Sequence, residues 1–308
     1  MPHEWHKAVE RWRELAAPLR RDVDELPAPE PTLEYLFYQS LVGAWPFGGG
    51  AKAGAELAER MTAYLLKAAR EAKTRTSWLT AHPAYEAELQ AFVKRMLRAQ
   101  PFVEDVARFC AQLERAAATN ALAQTLLRCC VPGVPDTYQG GELWNQSLVD
   151  PDNRRPVDYE VRRRSLAEIR ARRGQPQQLV ADLLETYADG RIKQYVLHVA
   201  LELRKQLPEL FASGDYAALP AGEHCVAFTR SQGDEVVVCI VPRLSWRLMG
   251  GKPGFPVGAA WASHSLKGIP EGSYRNCFTG EQLRVAGPLQ LAEALARFPL
   301  ALLVKEVS

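Results

Sequence analysis

The sequence has no long apolar run. No window of 18 or more apolar residues occurs in its 308 residues, and the opening stretch Met1–Arg21 mixes charged and apolar residues. A membrane span and a signal peptide both need a continuous apolar segment, so we predict no membrane partner and no secretion leader. An excess of one charge is also lacking, with 38 Lys+Arg against 36 Asp+Glu and a net charge of +2. This balance gives no reason to expect nucleic acid as a partner.

The cysteines lack the spacing of a metal site or a redox site. There are six, and none stands in a zinc-finger or Cys-x-x-Cys arrangement. Cys129 and Cys130 lie in an apolar run and are typical of small buried residues. No phosphate-binding loop is present. We therefore predict no metal and no cofactor, and a reduced, cytoplasmic protein.

The apolar pattern changes along the chain and predicts an α+β fold. The first part has helical spacing, and we expect helices from about Trp5 to Leu19, from a Thr32 cap to Pro46, and over Ala53–Lys73, Pro83–Arg98 and Pro101–Ala118, with a linker at Asp22–Pro31. A short buried strand is expected at Leu126–Val131, and further helices at Tyr159–Arg173, Pro176–Ala188 and Arg191–Gln206. Strands with a period of two follow at Cys225–Arg230, Glu235–Val241, Ser273–Phe278, Gln282–Val285 and Pro299–Val304. These strands predict an antiparallel, sandwich-like β-domain.

The segment Pro132–Tyr159, PGVPDTYQGGELWNQSLVDPDNRRPVDY, carries the densest chemistry. It interleaves carboxylates and arginines with aromatic rings. Sugar sites use this mixture, because charged groups bind hydroxyls while rings cover the apolar sugar face. A solvent-exposed polar loop with internal salt bridges is the competing interpretation from composition alone.

The same segment resembles the maltooligosyl trehalose synthases of the α-amylase superfamily. Its opening, PGVPDTYQGGE, is similar to the end of the eighth barrel strand in α-amylase relatives. Supporting stretches are EYLFYQSLVGAWP (Glu34–Pro46), KAAREAKTRTSW (Lys67–Trp78) and the segment Asp189–Leu219. One departure is Gly141, where the family usually has Thr.

The resemblance implies a domain organisation and an activity. It implies that residues 1–120 are a helical insertion between barrel strands 7 and 8. Residues 121–210 would hold the last strand of a (β/α)8 barrel, a substrate loop and the final barrel helices, and residues 211–308 the β-domain. The family converts the reducing-end α-1,4 bond of a maltooligosaccharide into an α,α-1,1 bond, by a retaining mechanism that needs closely spaced carboxyl groups.

The resemblance also implies roles for residues of the segment. Asp152, Arg154 and Arg155 are expected to contact the reducing-end glucose, because a planar guanidinium matches paired acceptors. Tyr138 and Trp144 are expected stacking platforms. The residues that orient these side chains or support the pocket, without touching the sugar, are expected to be Asp136, Gln139 and Glu142. For Lys193 two roles are open, a contact that reaches the site or an ion pair with a carboxylate, and the ion pair is the favoured expectation.

No catalytic residue is predicted in this chain. The family's nucleophile, acid/base and stabilising carboxylates belong to strands four, five and seven, and the chain resembles the family only after them. Neither a Gly-x-Arg-x-Asp pattern nor a His-Asp pair occurs in the sequence. We therefore expect this chain alone to be inactive, with maltooligosaccharide and a missing N-terminal barrel portion as partners. Two alternatives are a non-catalytic carbohydrate-binding or regulatory module and a helical scaffold.

Overall fold

The computed structural model describes residues 1–306, which form two compact units. Unit 1 consists of Met1–Glu114 and Gln146–Pro156, and unit 2 consists of Arg115–Asn145 and the chain from Val157 onward. This division into two units does not test the predicted domain ranges 1–120, 121–210 and 211–308, which stay a prediction.

Helices dominate unit 1, as the spacing predicts. They are α1 (Pro2–Ala16), α2 (Pro31–Ala44), α3 (Ala53–Ala72), α4 (Pro83–Arg98) and the first part of α5 (Gln100–Cys130). Proline occupies the first turn of α1, α2 and α4. Proline suits that place because its missing N–H would have no partner inside the helix anyway.

The core of unit 1 is built on aromatic side chains. Trp12 is fully buried and makes edge contacts with Trp5 and Phe109, whose ring centroids lie 5.6 and 5.5 Å away. Its indole N–H donates to Asp105 Oδ2 at 2.8 Å, so the polar end of the ring is satisfied. Asp105 is also held by Arg11 and Arg108. The aromatics at helical spacing therefore serve as core.

Two expectations for unit 1 are wrong. The predicted linker Asp22–Pro31 contains a small hairpin of β1 (Arg21–Val23) and β2 (Leu26–Ala28), with Asp24 and Glu25 at positive φ in its turn. The expected Thr32 cap is also wrong, because α2 already begins at Pro31 and Glu30 stands at the cap position without a side-chain bond.

The strand expected at Leu126–Val131 is also wrong. Up to Cys130 these residues form the last turns of α5, a helix of 31 residues. Leu122, Leu126, Cys129 and Cys130 are fully buried and recur at steps of three and four, which is a helical spacing. A short apolar run does not distinguish a buried strand from a buried helix, and among the described residues no parallel neighbour is present to pair with a strand.

Unit 2 holds the remaining helices and most strands. The helices are α6 (Tyr159–Ala171), α7 (Pro176–Glu185), α8 (Arg191–Gln206), α9 (Pro208–Ser213), α10 (Ser245–Leu248) and α11 (Leu291–Ala294). The three helices predicted here are confirmed as α6, α7 and α8. The second ends three residues before the predicted end, and a 3₁₀ turn at Tyr187–Asp189 follows it.

The C-terminal strands form an antiparallel β-domain, as predicted. They are β3 (Asp215–Leu219), β4 (Cys225–Gln232), β5 (Glu235–Pro242), β6 (Ser265–Leu266), β7 (Gly272–Asn276), β8 (Gln282–Val285), β9 (Leu289–Gln290) and β10 (Ala301–Lys305). Six of them make one sheet in the order β3-β4-β5-β10-β7-β8, and β6 and β9 make a separate two-stranded ribbon. The β-domain therefore consists of one six-stranded sheet and a two-stranded ribbon, instead of the two facing sheets of the sandwich-like arrangement that we expected.

A buried arginine joins this sheet to the ends of two helices. Arg230 on β4 is 1% exposed. Its guanidinium donates to Leu210 O at 3.0 Å, Gly214 O at 2.9 Å and Cys130 O at 3.2 Å. Carbonyls at helix C-termini lack partners within the helix, so Arg230 satisfies the ends of α5 and α9.

Candidate functional site

The segment Pro132–Tyr159 is irregular, as predicted, apart from one 3₁₀ turn at Asp152–Arg154 and the start of α6. Its residues divide between the two units. Gln146–Pro156 belongs to unit 1, whereas Pro132–Asn145 and the residues from Val157 belong to unit 2. The predicted sugar-binding residues are accordingly held by two separate sets of contacts.

Asp152 is the centre of the unit 1 set. Arg60 on α3 binds its carboxylate with both sides of the guanidinium, at 2.9 Å to Oδ1 and 2.8 Å to Oδ2. The Leu148 N–H donates to Oδ2 at 2.7 Å, and Arg155 Nε lies 3.1 Å from Oδ1. The side chain is only 9% exposed. Both carboxylate oxygens are therefore engaged by the protein itself.

These contacts control the ionisation of Asp152. Burial by itself would raise its pKa, but the hydrogen bond from Arg60, the Leu148 N–H and the two neighbouring guanidiniums outweigh it and hold the pKa below its usual range. Asp152 is thus a fixed anion that ties the segment to α3.

The same segment has further ties to unit 1. Arg60 also donates to Gln146 O at 2.8 Å, and Lys67 donates to Asp150 O at 2.6 Å. The Gln146 amide donates to Trp45 O at 2.6 Å. Side chains of α3 therefore fix the backbone on either side of Asp152.

Arg154 and Arg155 differ from Asp152 in being open to solvent. The Arg154 side chain is 72% exposed and pairs with Asp150, and the Arg155 side chain is 53% exposed. Arg155 also donates to Asp152 O at 3.0 Å and to Ser147 Oγ at 3.3 Å. Each guanidinium keeps donors that face water, which is what a sugar contact requires.

In unit 2, Arg162 on α6 fastens the first half of the segment. Its guanidinium donates to Glu142 Oε2 at 3.0 Å, to Gly140 O at 2.7 Å and to Asp158 O at 3.0 Å. Glu142 is thereby a partner of Arg162. The remaining candidates, Asp136 and Gln139, are exposed.

Trp144 is held by the turn that precedes α8. Its indole N–H donates to Tyr187 O at 2.7 Å. Gly190, at φ +84°, lies so close that a Cβ there would be 2.9 Å from Trp144 N. The ring is partly exposed, its polar end is occupied, and the Lys193 ammonium lies 6.0 Å from its centre.

Lys193 differs from its expected role. Its ammonium donates to Leu143 O at 3.1 Å and makes no carboxylate pair among the described residues, so the expected ion pair is wrong. Burial lowers the pKa of Lys193 to about 8, the charges of Arg128 and Arg162 act in the same direction, and Glu142 opposes them. Lys193 donates to the Leu143 carbonyl and not to the Glu142 carboxylate, because Glu142 is already bound to Arg162.

Tyr138 is the most open aromatic ring of the segment. It is 53% exposed, and the turn that carries it is closed by a 2.9 Å bond from Gly141 N to Tyr138 O. This tight turn accounts for the small residue at 141, because a Cβ there is 2.9 Å from Tyr138 O.

Unit 1 also exposes an aromatic residue outside the segment Pro132–Tyr159. Trp78 is 59% exposed and lies beneath the guanidinium of Arg70, 4.8 Å from its ring centre. Glu86 binds Arg70 at 2.8 and 2.6 Å and accepts from Thr76 Oγ1 at 2.6 Å. The hydrogen bond of Arg70 lowers the pKa of Glu86 to about 2.

Neither a metal cluster nor a membrane span is found among residues 1–306. No group of three or more His, Cys, Asp or Glu side chains there is arranged to hold a metal ion. No helix in that range combines the length and apolar character needed to cross a membrane.

Comparison with known proteins confirms the resemblance. Over 284 residues the chain is 35% identical to the "Putative maltooligosyl trehalose synthase" of Mycobacterium tuberculosis strain CDC 1551, covering 91% of this chain and 32% of that protein. The structure of maltooligosyltrehalose synthase from Arthrobacter ramosus is similar with a TM-score of 0.70 and 32% identity, over 97% of this chain and 35% of that one. A crystal structure of maltooligosyl trehalose synthase gives a TM-score of 0.72 at 28% identity, over 99% and 36%.

The similarity covers almost all of this chain and only part of its relatives. The chain spans about a third of the length of the curated relatives it matches. No protein-family model matches it. Residues 1–306 thus correspond in sequence and in mixed helix–sheet architecture to the C-terminal part of maltooligosyl trehalose synthases.

Proposed function

We propose that this chain supplies the C-terminal part of a maltooligosyl trehalose synthase. In the complete enzyme the reducing-end α-1,4 bond of a maltooligosaccharide would be converted into an α,α-1,1 bond, in trehalose biosynthesis. The observation that carries the proposal is the 35% identity over 91% of the chain to a protein with that name. All six cysteines are free thiols, which supports a reducing, cytoplasmic setting.

We assign the sugar contacts to exposed groups of Pro132–Tyr159. Tyr138 and Trp144 offer ring surface, and Arg154 and Arg155 offer guanidinium donors. Asp152 has its oxygens occupied, so in this proposal it contributes mainly by holding the two arginines in place. Asp136, Gln139 and Glu142 act as supports, Glu142 through Arg162.

We further propose that the chain does not turn over substrate by itself. The sequence lacks both motifs that carry the family's carboxylates. Asp136 and Glu142 are a poor substitute pair, because the Glu142 carboxylate is already bound to Arg162 and Asp136 lies on the exposed surface. Activity would require a partner that carries the missing barrel strands.

Activity and binding can be tested on the same protein. Incubation with maltopentaose should leave the reducing ends unchanged, whereas calorimetry should detect weak binding. Tyr138→Ala and the double variant Arg154→Ala/Arg155→Ala should weaken that binding about tenfold, since a lost stacking ring or charged donor is worth 1 kcal/mol or more. Robust turnover would contradict the assignment of catalysis to a missing portion.

Matched controls are available outside the segment. Tyr216 on β3 is 47% exposed and similar in kind to Tyr138. Arg163 on α6 is 72% exposed, like Arg154. Tyr216→Ala and Arg163→Ala should leave maltopentaose affinity unchanged, and an equal loss in these controls would contradict the assignment of the sugar contacts.

A non-catalytic carbohydrate-binding module is the alternative, favoured by the exposure of Tyr138 in this chain. Both candidates predict binding without turnover, so a complementation experiment distinguishes them. Addition of a polypeptide that carries the first seven barrel strands of a maltooligosyl trehalose synthase should restore trehalose-type product if the chain is part of the enzyme. A stable mixture that binds glucan without forming product would favour the module.

A further inference from the structure

Unit 2 contains a cavity that none of the proposed sugar-binding residues lines. Its volume is about 360 Å³, and it lies between α6, the start of α7, α8 and the β7–β8 hairpin. Apolar side chains on one side are Ile169, Pro176, Leu179, Val199 and Leu203. A space of this size has room for about a dozen waters and is at the lower end of ligand sites. It therefore holds more than a single ion.

The polar lining is strongly cationic. The cavity is lined by three arginines, Arg170, Arg173 and Arg275. None of the three forms an ion pair with another described residue. Glu202 is the one acidic residue in this lining. Other arginines of unit 2, such as Arg162 and Arg191, do have carboxylate partners. Arg275 is hydrogen-bonded to the Cys277 side chain, and none of the three cavity guanidiniums has its charge compensated by an ion pair among the described residues.

His198 is affected by the resulting positive potential. Burial lowers the pKa of His198, and the charges of Arg170 and Arg173 lower it further, against the opposing effect of Glu202. The other titratable groups facing the cavity are neutral: burial raises the pKa of the Cys277 thiol to about 11, and the Tyr195 hydroxyl donates to Phe278 O at 2.6 Å. Nothing in the lining apart from Glu202 compensates the arginines.

We propose that this cavity binds a small organic phosphate. Its phosphate group is held by the guanidiniums of Arg170, Arg173 and Arg275, and its carbon skeleton packs on the wall around Ile169 and Leu179. A guanidinium has a planar set of donors that matches phosphate oxygens in pairs. The apolar wall and the volume favour a phosphorylated sugar over free phosphate. This site is separate from the proposed glucan site, so each proposal can fail without the other.

Calorimetry at constant ionic strength tests the site, with glucose 6-phosphate, inorganic phosphate and glucose as probes. We expect binding in the order glucose 6-phosphate, then phosphate, with none for glucose. The double variant Arg170→Ser/Arg173→Ser should lose at least about tenfold in affinity, because charge-assisted hydrogen bonds are removed. Both residues are exposed, so the variant should fold normally. Equal affinities for glucose 6-phosphate and phosphate would overturn the part assigned to the apolar wall.

Matched variants separate a built site from a diffuse positive surface. Arg164→Ser on α6 and Arg284→Ser on β8 remove the same charge from exposed positions that do not line the cavity. They should leave the affinity unchanged, whereas Glu202→Gln should raise it several-fold by removing the opposing charge. A similar loss in Arg164→Ser, or no gain in Glu202→Gln, would overturn the proposal.

A spectroscopic readout locates the ligand. A bound phosphate cancels part of the positive potential, so the pKa of His198 should rise when glucose 6-phosphate is added, as followed by the imidazole proton resonances. The rise should be absent in Arg170→Ser/Arg173→Ser. Binding with no response of His198 would place the ligand elsewhere and refute the assignment.

Discussion

Replacement of Asp152 by alanine tests the contact that holds Arg154 and Arg155, the candidate sugar contacts of unit 1. In the structure this carboxylate binds Arg60 through two hydrogen bonds and accepts a third from the Leu148 N–H. Asp152→Ala would leave the Arg60 guanidinium and the Leu148 amide without these acceptors. It would also release the turn that carries Arg154 and Arg155.

The magnitude follows from the burial of the two partners. Removal of one member of a buried ion pair costs about 3–5 kcal/mol. The Asp152 side chain is 9% exposed, but Arg60 is 22% exposed and can regain some hydration in the variant. We therefore expect Asp152→Ala to lower the free energy of unfolding by about 2–4 kcal/mol.

Urea unfolding followed by circular dichroism measures this change, and a double-mutant cycle with Arg60→Ala isolates the pair. The coupling energy should be about 1–2 kcal/mol. Glu160→Ala is the control, since its pair with Arg163 is 70–72% exposed and should contribute less than about 0.5 kcal/mol. Maltopentaose affinity should fall in Asp152→Ala and stay unchanged in the control.

The pH dependence has a definite sign. The pKa of Asp152 is lower in the folded protein than in the unfolded chain. Its contribution is therefore present above the unfolded value of about 3.9 and is lost as pH falls through the folded value. The difference in stability between the natural chain and Asp152→Ala should shrink below about pH 4. A difference below about 1 kcal/mol at pH 7, or one that grows on acidification, would refute the reasoning.

Three further predictions concern other contacts. Glu86→Gln removes the charge that holds Arg70 over Trp78, so the fluorescence of Trp78 should shift to longer wavelength. Glu88→Gln on the same helix is the control. An unchanged spectrum in Glu86→Gln would contradict the coupling of Glu86, Arg70 and Trp78. Gly190→Ala should destabilise unit 2 by about 1–3 kcal/mol in urea unfolding, because the new Cβ meets Trp144 N at 2.9 Å and φ is +84°. The pKa of Lys193 should be about 8 in NMR of methylated lysines. The free energy of unfolding should therefore rise between pH 8 and about 10.4, because in this range only the unfolded chain keeps the proton on Lys193. A pKa near 10.4 for Lys193 in the folded protein would contradict its burial.

The helices and strands were predictable where the apolar pattern is long. The patterns over Ala53–Lys73 and Arg191–Gln206 match α3 and α8 to within a residue, because a face of buried side chains over four or more turns admits one period. The hairpin β1–β2 was missed because three-residue strands are too short for an alternation to be visible.

The sequence indicated which residues make up the candidate site, but it gave less information on the role of each residue. The segment's mixture of charges and rings pointed to its residues, but the sequence did not tell which charges would be consumed by the protein itself. Arg60 lies 92 residues before Asp152, and Arg162 lies 20 residues after Glu142, so both pairs depend on how α3 and α6 are placed. Such partners are a tertiary property, so burial decides which residues remain free for sugar.

The end of α5 shows how the same apolar residues can satisfy two patterns. A barrel strand at Leu126–Val131 needs a parallel neighbour on each edge, since unpaired backbone groups in a buried place are costly. In a helix those groups are paired locally, and Leu122, Leu126 and Cys129 still become buried on one side. The last carbonyl of the helix is then satisfied by Arg230 from β4. The antiparallel domain therefore provides the partner that closes α5, and the helix accommodates this apolar run without a neighbouring parallel strand.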